Sequence, residues 1–198
     1  MNNHHTSTIY AITHCESCYN RLGIFTGRAD SKLTPVGHEH AKRIAKKLAN
    51  KRIDLAFISP LIRTKETVKH IQKYHPHMKI VVDPRLIERD YGTLSRKSKK
   101  KYQKEHPDLY PKYHRSYTIA PPGGESMKQV EARVLACIRD ILALIKKDHA
   151  NALIVAHGNS LRPIRKYFEQ LSNDQMMELD NLRHTIFTYS ITDGKIDR

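Results

Sequence analysis

The sequence predicts an α/β fold in which helices cover both faces of a mostly parallel sheet, as in a three-layer α/β/α sandwich. Short apolar segments with strand periodicity alternate along the chain with longer segments of helical periodicity. The run Ala152–Ala156 is apolar at every position, which is typical of a parallel strand covered on both faces.

Strands are predicted first, because their apolar periodicity is the clearest. In the first one, Ile9 and Ala11 lie on one face while Tyr10 and Ile12 lie on the other. The full set of predicted strands is Ser7–Thr13, Asp54–Ile58, Lys79–Val82, Ala152–Ala156 and His184–Ile191.

Helix starts are predicted where a capping residue precedes the first turn. Thr34-Pro35 and Ser59-Pro60 each place such a residue before a proline at the first helical position. The segment 126–129 reads as a capping box. The apolar stripe of the helix that it opens includes Cys137, so we expect this cysteine in the core.

One stretch, residues 84–124, interrupts the alternation. It is long, polar and basic, and it contains the run Arg96–Lys104. Long insertions in compact α/β domains are functional caps or disordered segments. Five tyrosines favour an ordered, docked cap here: Tyr91, Tyr102, Tyr110, Tyr113 and Tyr117.

Composition narrows the function classes. The chain carries 35 Lys and Arg residues against 20 Asp and Glu, a formal net charge of +15 that suits nucleic acid, an anionic membrane surface or a small anionic substrate. The longest apolar runs have about five residues, such as Ile141–Ile145, which excludes a membrane span of roughly 20 residues. Three cysteines cannot build a disulfide framework, so we expect a cytoplasmic protein. Whether it forms a homo-oligomer is left open.

Four chemically active side chains follow the predicted strands, at the ends where α/β sheets bind ligands. They are His14, Arg63, Glu88 and His157. A neutral imidazole can attack phosphorus, and a carboxyl group can protonate the leaving oxygen. Arg63 and a protonated second histidine can clamp phosphoryl oxygens, and the helix opened by Gly158-Asn159 favours an anion. The pattern predicts phosphoryl transfer through a histidine.

The sequence resembles the histidine phosphatase superfamily, and within it the cofactor-dependent phosphoglycerate mutases, over nearly its whole length. The main segments that carry the resemblance are Thr13-His14-Cys15-Glu16-Ser17, Ser59-Pro60-Leu61 with Arg63, Glu88-Arg89-Asp90-Tyr91-Gly92, and Ala156-His157-Gly158-Asn159-Ser160-Leu161-Arg162. It implies one phosphoglycerate mutase-like domain over residues 1–198, with 84–124 as a cap over the site.

The resemblance also implies residue roles. His14 matches the nucleophile that becomes phosphohistidine, Glu88 the general acid and base, and Arg63 and His157 the phosphate clamp. The implied substrate-binding residues are Thr13, Ser17, Asn20, Thr26, Gly27, Arg89, Tyr91, Lys99, Arg115, Gly158 and Asn159.

The chain departs from the superfamily pattern beside the nucleophile. Thr13 and Cys15 stand where the pattern has arginine and glycine, and His114 stands where mutases often have an arginine. One lost charge-assisted contact costs roughly 1.5–3 kcal/mol, so we expect attenuated activity. Arg21 is a candidate substitute for the missing arginine, and Cys15 is a candidate for oxidation.

The main hypothesis is an isomerase that interconverts 2- and 3-phosphoglycerate through His14, primed by 2,3-bisphosphoglycerate and placed in glycolysis by the resemblance. The alternatives are a phosphatase that hydrolyses small phosphoesters and a non-catalytic phosphate-binding relative. No metal is expected; a metal or redox pair at Cys15 and Cys18, and nucleic acid at Arg96–Lys104, are minor alternatives.

Overall fold

A computed structural model describes residues 6–180, 184–192 and 195–196 of the chain. Its sheet has six strands in the order β3-β2-β4-β1-β5-β6. The first four of these pair in parallel, whereas β5 and β6 run antiparallel to their neighbours. The strands are β1 Thr6–Thr13, β2 Leu55–Ile58, β3 Lys79–Val82, β4 Ala152–Ala156, β5 Phe187–Thr192 and β6 Lys195–Ile196. The predicted mostly parallel α/β sheet is confirmed.

Helices lie on both faces of the sheet and bury two separate apolar cores. Ile9 and Ala11 of β1 pack in one core, whereas Tyr10 and Ile12 pack in the other, as the strand's alternation predicts. Cys137 is buried in the first core, as expected. The helices are α1 Cys18–Arg21, α2 Pro35–Leu48, α3 Ile62–Gln72, α4 Lys99–Glu105, α5 Leu109–Arg115, α6 Met127–Asp148, α7 Gly158–Glu169 and α8 Asn173–Glu178. Within the described ranges, no helix is long and apolar enough to cross a bilayer.

Two of the three predicted helix starts are confirmed. The Thr34 hydroxyl accepts a hydrogen bond from the Gly37 amide at the start of α2, and Ser126 forms a capping box at the start of α6. The prediction at Ser59-Pro60 is wrong, since α3 begins at Ile62 without a side-chain cap. The Ser59 hydroxyl is instead engaged in tertiary contacts, described below.

The last predicted strand is shifted in the structure. It begins at Phe187 rather than His184, because His184 has a positive φ of 70° that no strand residue adopts.

Residues 84–124 form helical turns at 84–86 and 92–94 followed by α4 and α5. An aromatic cluster holds this segment against the loop after α1: Phe25, Tyr91, Leu94 and Tyr102 are buried together, with Tyr110 and Tyr113 against them. Tyr117 belongs elsewhere, because it packs on the first core and its hydroxyl donates to Glu131 at 2.8 Å. The segment is therefore ordered, and its turn at Gly92 lies directly on the chain at Pro122.

Gly92 in this segment and Gly23 in the loop after α1 allow the cost of backbone strain to be measured apart from the cost of a steric collision. Both Gly92 (φ +50°) and Gly23 (φ +63°) have left-handed backbones, but only at Gly92 would a Cβ collide with the Pro122 carbonyl oxygen. We expect Gly23→Ala to cost about 1 kcal/mol of unfolding free energy. Gly92→Ala should cost ~1–3 kcal/mol more, by overpacking. Urea denaturation measures both, and equal losses would contradict the tight seating of the cap.

Candidate active site

Two histidines extend neighbouring parallel strands. Thr13 pairs in register with Ala156, the last residues of β1 and β4, so His14 and His157 emerge side by side. The His14 amide continues the ladder by donating to the Ala156 carbonyl at 2.9 Å. Their ring centroids are 5.0 Å apart. Strand register therefore sets the spacing of the pair.

The backbone fixes the tautomer of His14. Its Nδ1 lies 2.7 Å from the Cys15 carbonyl oxygen, and since a carbonyl oxygen only accepts, Nδ1 carries the proton. Nε2 is left with its lone pair and accepts from the Nε of Arg63 at 3.2 Å. The side chain thus presents a neutral nitrogen nucleophile.

Arg63 is fully buried between the two histidines. Its Nε is shared between His14 Nε2 and His157 Nδ1, the latter at 3.1 Å. Its Nη atoms donate to the carbonyls of Ala29 and Gly27, both at 2.9 Å. Burial lowers the pKa of Arg63 to about 10, so the guanidinium remains positive at neutral pH.

His157 is neutral in this arrangement, contrary to the expectation of a protonated clamp. Its Nδ1 accepts from Arg63, so its proton sits on Nε2, which donates to the Ser59 hydroxyl at 2.7 Å. Burial first, and then the positive charge of Arg63, hold the pKa of His157 well below its usual value. This contact explains why Ser59 does not cap α3. A bound phosphoryl dianion would favour the protonated form.

Glu88 follows the helical turn after β3 and approaches the start of α7. Its Oε1 accepts from its neighbour's amide, that of Arg89, at 2.8 Å and from the Asn159 amide at 3.2 Å. The Asn159 side-chain amide donates to the Tyr91 hydroxyl at 3.3 Å. The carboxyl group is thus held by backbone donors rather than by a cationic side chain.

These groups open into one cavity of about 290 Å³. Of the sequence-predicted residues, it is lined by Thr13, His14, Asn20, Thr26, Gly27, Arg63, Glu88, Tyr91, Lys99, Arg115, Gly158 and Asn159. The lining has four cationic side chains, Arg63, Lys99, Arg115 and Arg162, against two carboxyl groups, Glu88 and Asp180, so the cavity suits an anionic ligand.

Three predicted residues do not line the cavity. Ser17 is buried and its hydroxyl accepts from the Asn20 amide, capping α1. Arg89 is buried beneath the cap, where its Nε donates to the Glu125 carbonyl at 2.7 Å. His157 is fully buried and its Nδ1 accepts from Arg63. We therefore correct Ser17 to a capping position and Arg89 to a buried position beneath the cap, where its Nη1 has no hydrogen-bond partner among the described residues.

Three lining residues were not selected from the sequence: His114, Arg162 and Asp180. Arg162 stands one helical turn after Asn159, so helical spacing alone was a usable signal. Its Nη1 donates to the carbonyls of Met176 and Met177 at 2.7 and 2.8 Å. Nothing in the sequence marked Asp180.

The structure shows where Thr13 and Cys15, the two departures from the superfamily pattern beside His14, place their side chains. The Thr13 hydroxyl is buried and has no hydrogen-bond partner among the described residues. Cys15 points into the core, where burial raises its pKa to about 12 and opposes the thiolate that oxidation requires. Arg21 does not replace the missing arginine, because its guanidinium pairs with Glu16 at 3.0 Å outside the cavity. In the described part of the chain, no cluster of three metal-ligating side chains occurs.

Comparisons with known proteins place the chain in a family. The family described as the histidine phosphatase superfamily (branch 1) matches residues 9–198. A 2,3-bisphosphoglycerate-dependent phosphoglycerate mutase of Chelativorans sp. (strain BNC1) is 35% identical over 184 residues, which cover 88% of this chain and 87% of the relative.

Solved structures share the fold. Bacillus stearothermophilus YhfR superposes with a TM-score of 0.86 at 23% identity, covering 96% of this chain and 94% of that one. A mycobacterial glucosyl-3-phosphoglycerate phosphatase, Rv2419c, gives 0.83 at 21% identity, with 93% and 90% covered.

His114 should make folding stability pH-dependent. Burial, and then Lys99, Arg115, Arg162 and Arg89, lower the pKa of His114 to about 3 from the usual 6.5. Because the unfolded chain takes up the proton first, the unfolding free energy should fall as the pH drops below about 6.5. We expect His114→Gln to show a shallower fall in denaturant titrations between about pH 7.5 and about pH 5.

The matched control for this titration is His77→Gln, at an exposed position, which should keep the wild-type slope. A wild-type slope in His114→Gln would show that His114 is not held neutral by its surroundings.

Proposed function

The chain belongs to the histidine phosphatase superfamily, and from this premise we propose that it interconverts 2- and 3-phosphoglycerate through a phosphohistidine on His14. The observation that carries the proposal is the His14 ring itself. Its Nδ1 proton is held by the Cys15 carbonyl, so that the Nε2 lone pair meets the positive Arg63 inside an anion-binding cavity.

The proposed step is a displacement at phosphorus. His14 Nε2 forms the new N–P bond while the P–O bond to the leaving oxygen breaks and Glu88 gives that oxygen a proton. Arg63 and the amides at the start of α7 stabilise the negative charge on the phosphoryl oxygens. In the return step, Glu88 takes the proton from the incoming hydroxyl.

A second set of cations supports a substrate with more than one anionic group. Lys99 at the start of α4, Arg115 at the end of α5 and Arg162 on α7 line the same cavity as His14. Phosphoglycerate carries a carboxylate and a phosphate, so it offers partners to both sets. The name of the mutase relative at 35% identity supports the same substrate class.

The same residues fit 2,3-bisphosphoglycerate as a primer. For its three anionic groups the cavity offers Arg63, the further cations Lys99, Arg115 and Arg162, and the Thr13 hydroxyl, which has no hydrogen-bond partner among the described residues. When bound, this molecule supplies the first phosphoryl group. The protein's part is to hold the His14 lone pair ready and to place the Glu88 carboxyl group for proton transfer.

A product assay tests the proposal against its alternatives. We expect 3-phosphoglycerate with catalytic 2,3-bisphosphoglycerate to yield 2-phosphoglycerate, and His14→Asn to abolish it. Phosphate NMR follows both isomers and free phosphate in one sample. Phosphate without isomer would replace the mutase by a phosphatase, and neither product would indicate a binding protein.

Thr13 should limit the rate, because it offers a hydroxyl but no charge beside His14. We expect Thr13→Arg to raise kcat/KM about tenfold or more, the value of one charge-assisted contact. Thr13→Gln adds length without charge and is the matched control, expected to give no gain. An unchanged kcat/KM in a folded Thr13→Arg variant would show that another cation, such as Arg162, already serves the phosphoryl group.

A further inference from the structure

Arg133 lies outside the cavity, yet its guanidinium binds the chain that carries Glu88. Its Nη1 donates to the carbonyls of Arg85 and Ile87, both at 2.7 Å, and its Nη2 approaches the Glu88 carbonyl at 3.3 Å. Its Nε and Nη2 also donate to the two carboxylate oxygens of Glu125, both at 3.0 Å. The Arg133 guanidinium thus donates to three backbone carbonyls and one carboxylate at the same time.

Glu125 makes similar contacts to the backbone on the C-terminal side of Glu88. Its Oε2 accepts from the Asp90 amide at 2.9 Å, and its own amide donates to the Asp90 carbonyl at 2.9 Å. Burial acts to raise the pKa of Glu125, but the hydrogen bonds from Arg133 and Asp90 lower it overall, so the carboxylate is charged. Side-chain exposure is only 16% for Arg133 and 15% for Glu125, so solvent competes little with the pair.

The chain is consequently fixed both before and after Glu88, whereas the Glu88 carboxyl group receives only backbone amides. Proton transfer requires the donor within hydrogen-bond reach of the leaving oxygen. A displacement of about 1 Å costs up to ~100-fold in rate. The position of the carboxyl group therefore depends on the backbone that Arg133 holds.

We propose that Arg133 is a positioning residue for proton transfer by Glu88. The proposal rests on the proposed function, in which Glu88 is the general acid. A lysine at 133 keeps the charge but has no planar fork, so it cannot hold Glu125 and the three carbonyls together. If Arg133 had a purely structural role, its replacement would slow the reaction of every substrate alike. If it positions Glu88, its replacement slows only the substrates whose leaving group needs a proton from the acid.

Leaving-group dependence tests this directly. p-Nitrophenyl phosphate releases an acidic phenol that needs no proton, whereas an alkyl phosphate such as 2,3-bisphosphoglycerate, the proposed phosphoryl donor to His14, needs one. We expect Arg133→Lys to slow phosphorylation of His14 by the alkyl ester about 10- to 100-fold, and by the aryl ester less than about threefold. Rapid-quench measurement of the single phosphorylation step keeps hydrolysis of the phosphoenzyme out of the comparison.

Two reference variants make the outcomes distinguishable. Glu88→Gln should show the same selectivity for the alkyl ester, and Arg139→Lys, an exposed change on the same helix, should slow neither ester. If Glu88→Gln shows no selectivity, the proposed role of Glu88 fails. If Glu88→Gln is selective for the alkyl ester but Arg133→Lys slows both esters equally or slows neither, the positioning role of Arg133 is overturned. If Arg133→Lys does not fold, Glu125→Gln replaces it, because this change weakens the Arg133–Glu125 ion pair. The same comparison of alkyl and aryl ester rates then applies.

Discussion

The site depends on one buried guanidinium whose direct partners are all uncharged. Burying an unpaired ion costs several kcal/mol, and Arg63 offsets this cost with two carbonyls and two imidazole nitrogens. Because these acceptors carry no formal charge, the positive charge remains available to an incoming anion. The Nε–H of Arg63 donates to both histidines and so favours the neutral form of each ring. One donor group therefore fixes the state of the nucleophile and of the second histidine.

The fold supplies this contact through strand register and a loop with a left-handed glycine. His14 and His157 are adjacent because β1 and β4 are parallel neighbours. The carbonyls that accept from Arg63 come from the loop at 27–29, where Gly27 has a φ of +51° and lies close to the Tyr91 amide. Since Tyr91 belongs to the aromatic cluster that seats the cap, the loop that accepts from Arg63 lies against the docked cap.

Much of this was predictable from the sequence, because strand periodicity and the rule that ligands bind at strand ends need only local information. His14, Arg63 and Glu88 were found in this way. The wrong predictions at Ser59 and Arg89 arose because tertiary contacts take up these side chains. The Ser59 hydroxyl serves His157 rather than a helix start, and Arg89 is buried under the cap although its neighbours face the cavity. The neutral state of His157 was not predictable, since it arises from burial and from a charge 94 residues away in sequence.

In the proposed reaction, the neutral Nε2 of His14 accepts a phosphoryl group. The most direct test is to mix the protein with 2,3-bisphosphoglycerate, quench it in alkali and map the modified peptide by mass spectrometry. We expect one acid-labile, alkali-stable phosphoryl group on His14 that disappears in Arg63→Gln, where the clamp is lost. An unmodified His14, or a phosphoryl group on another residue, would contradict it.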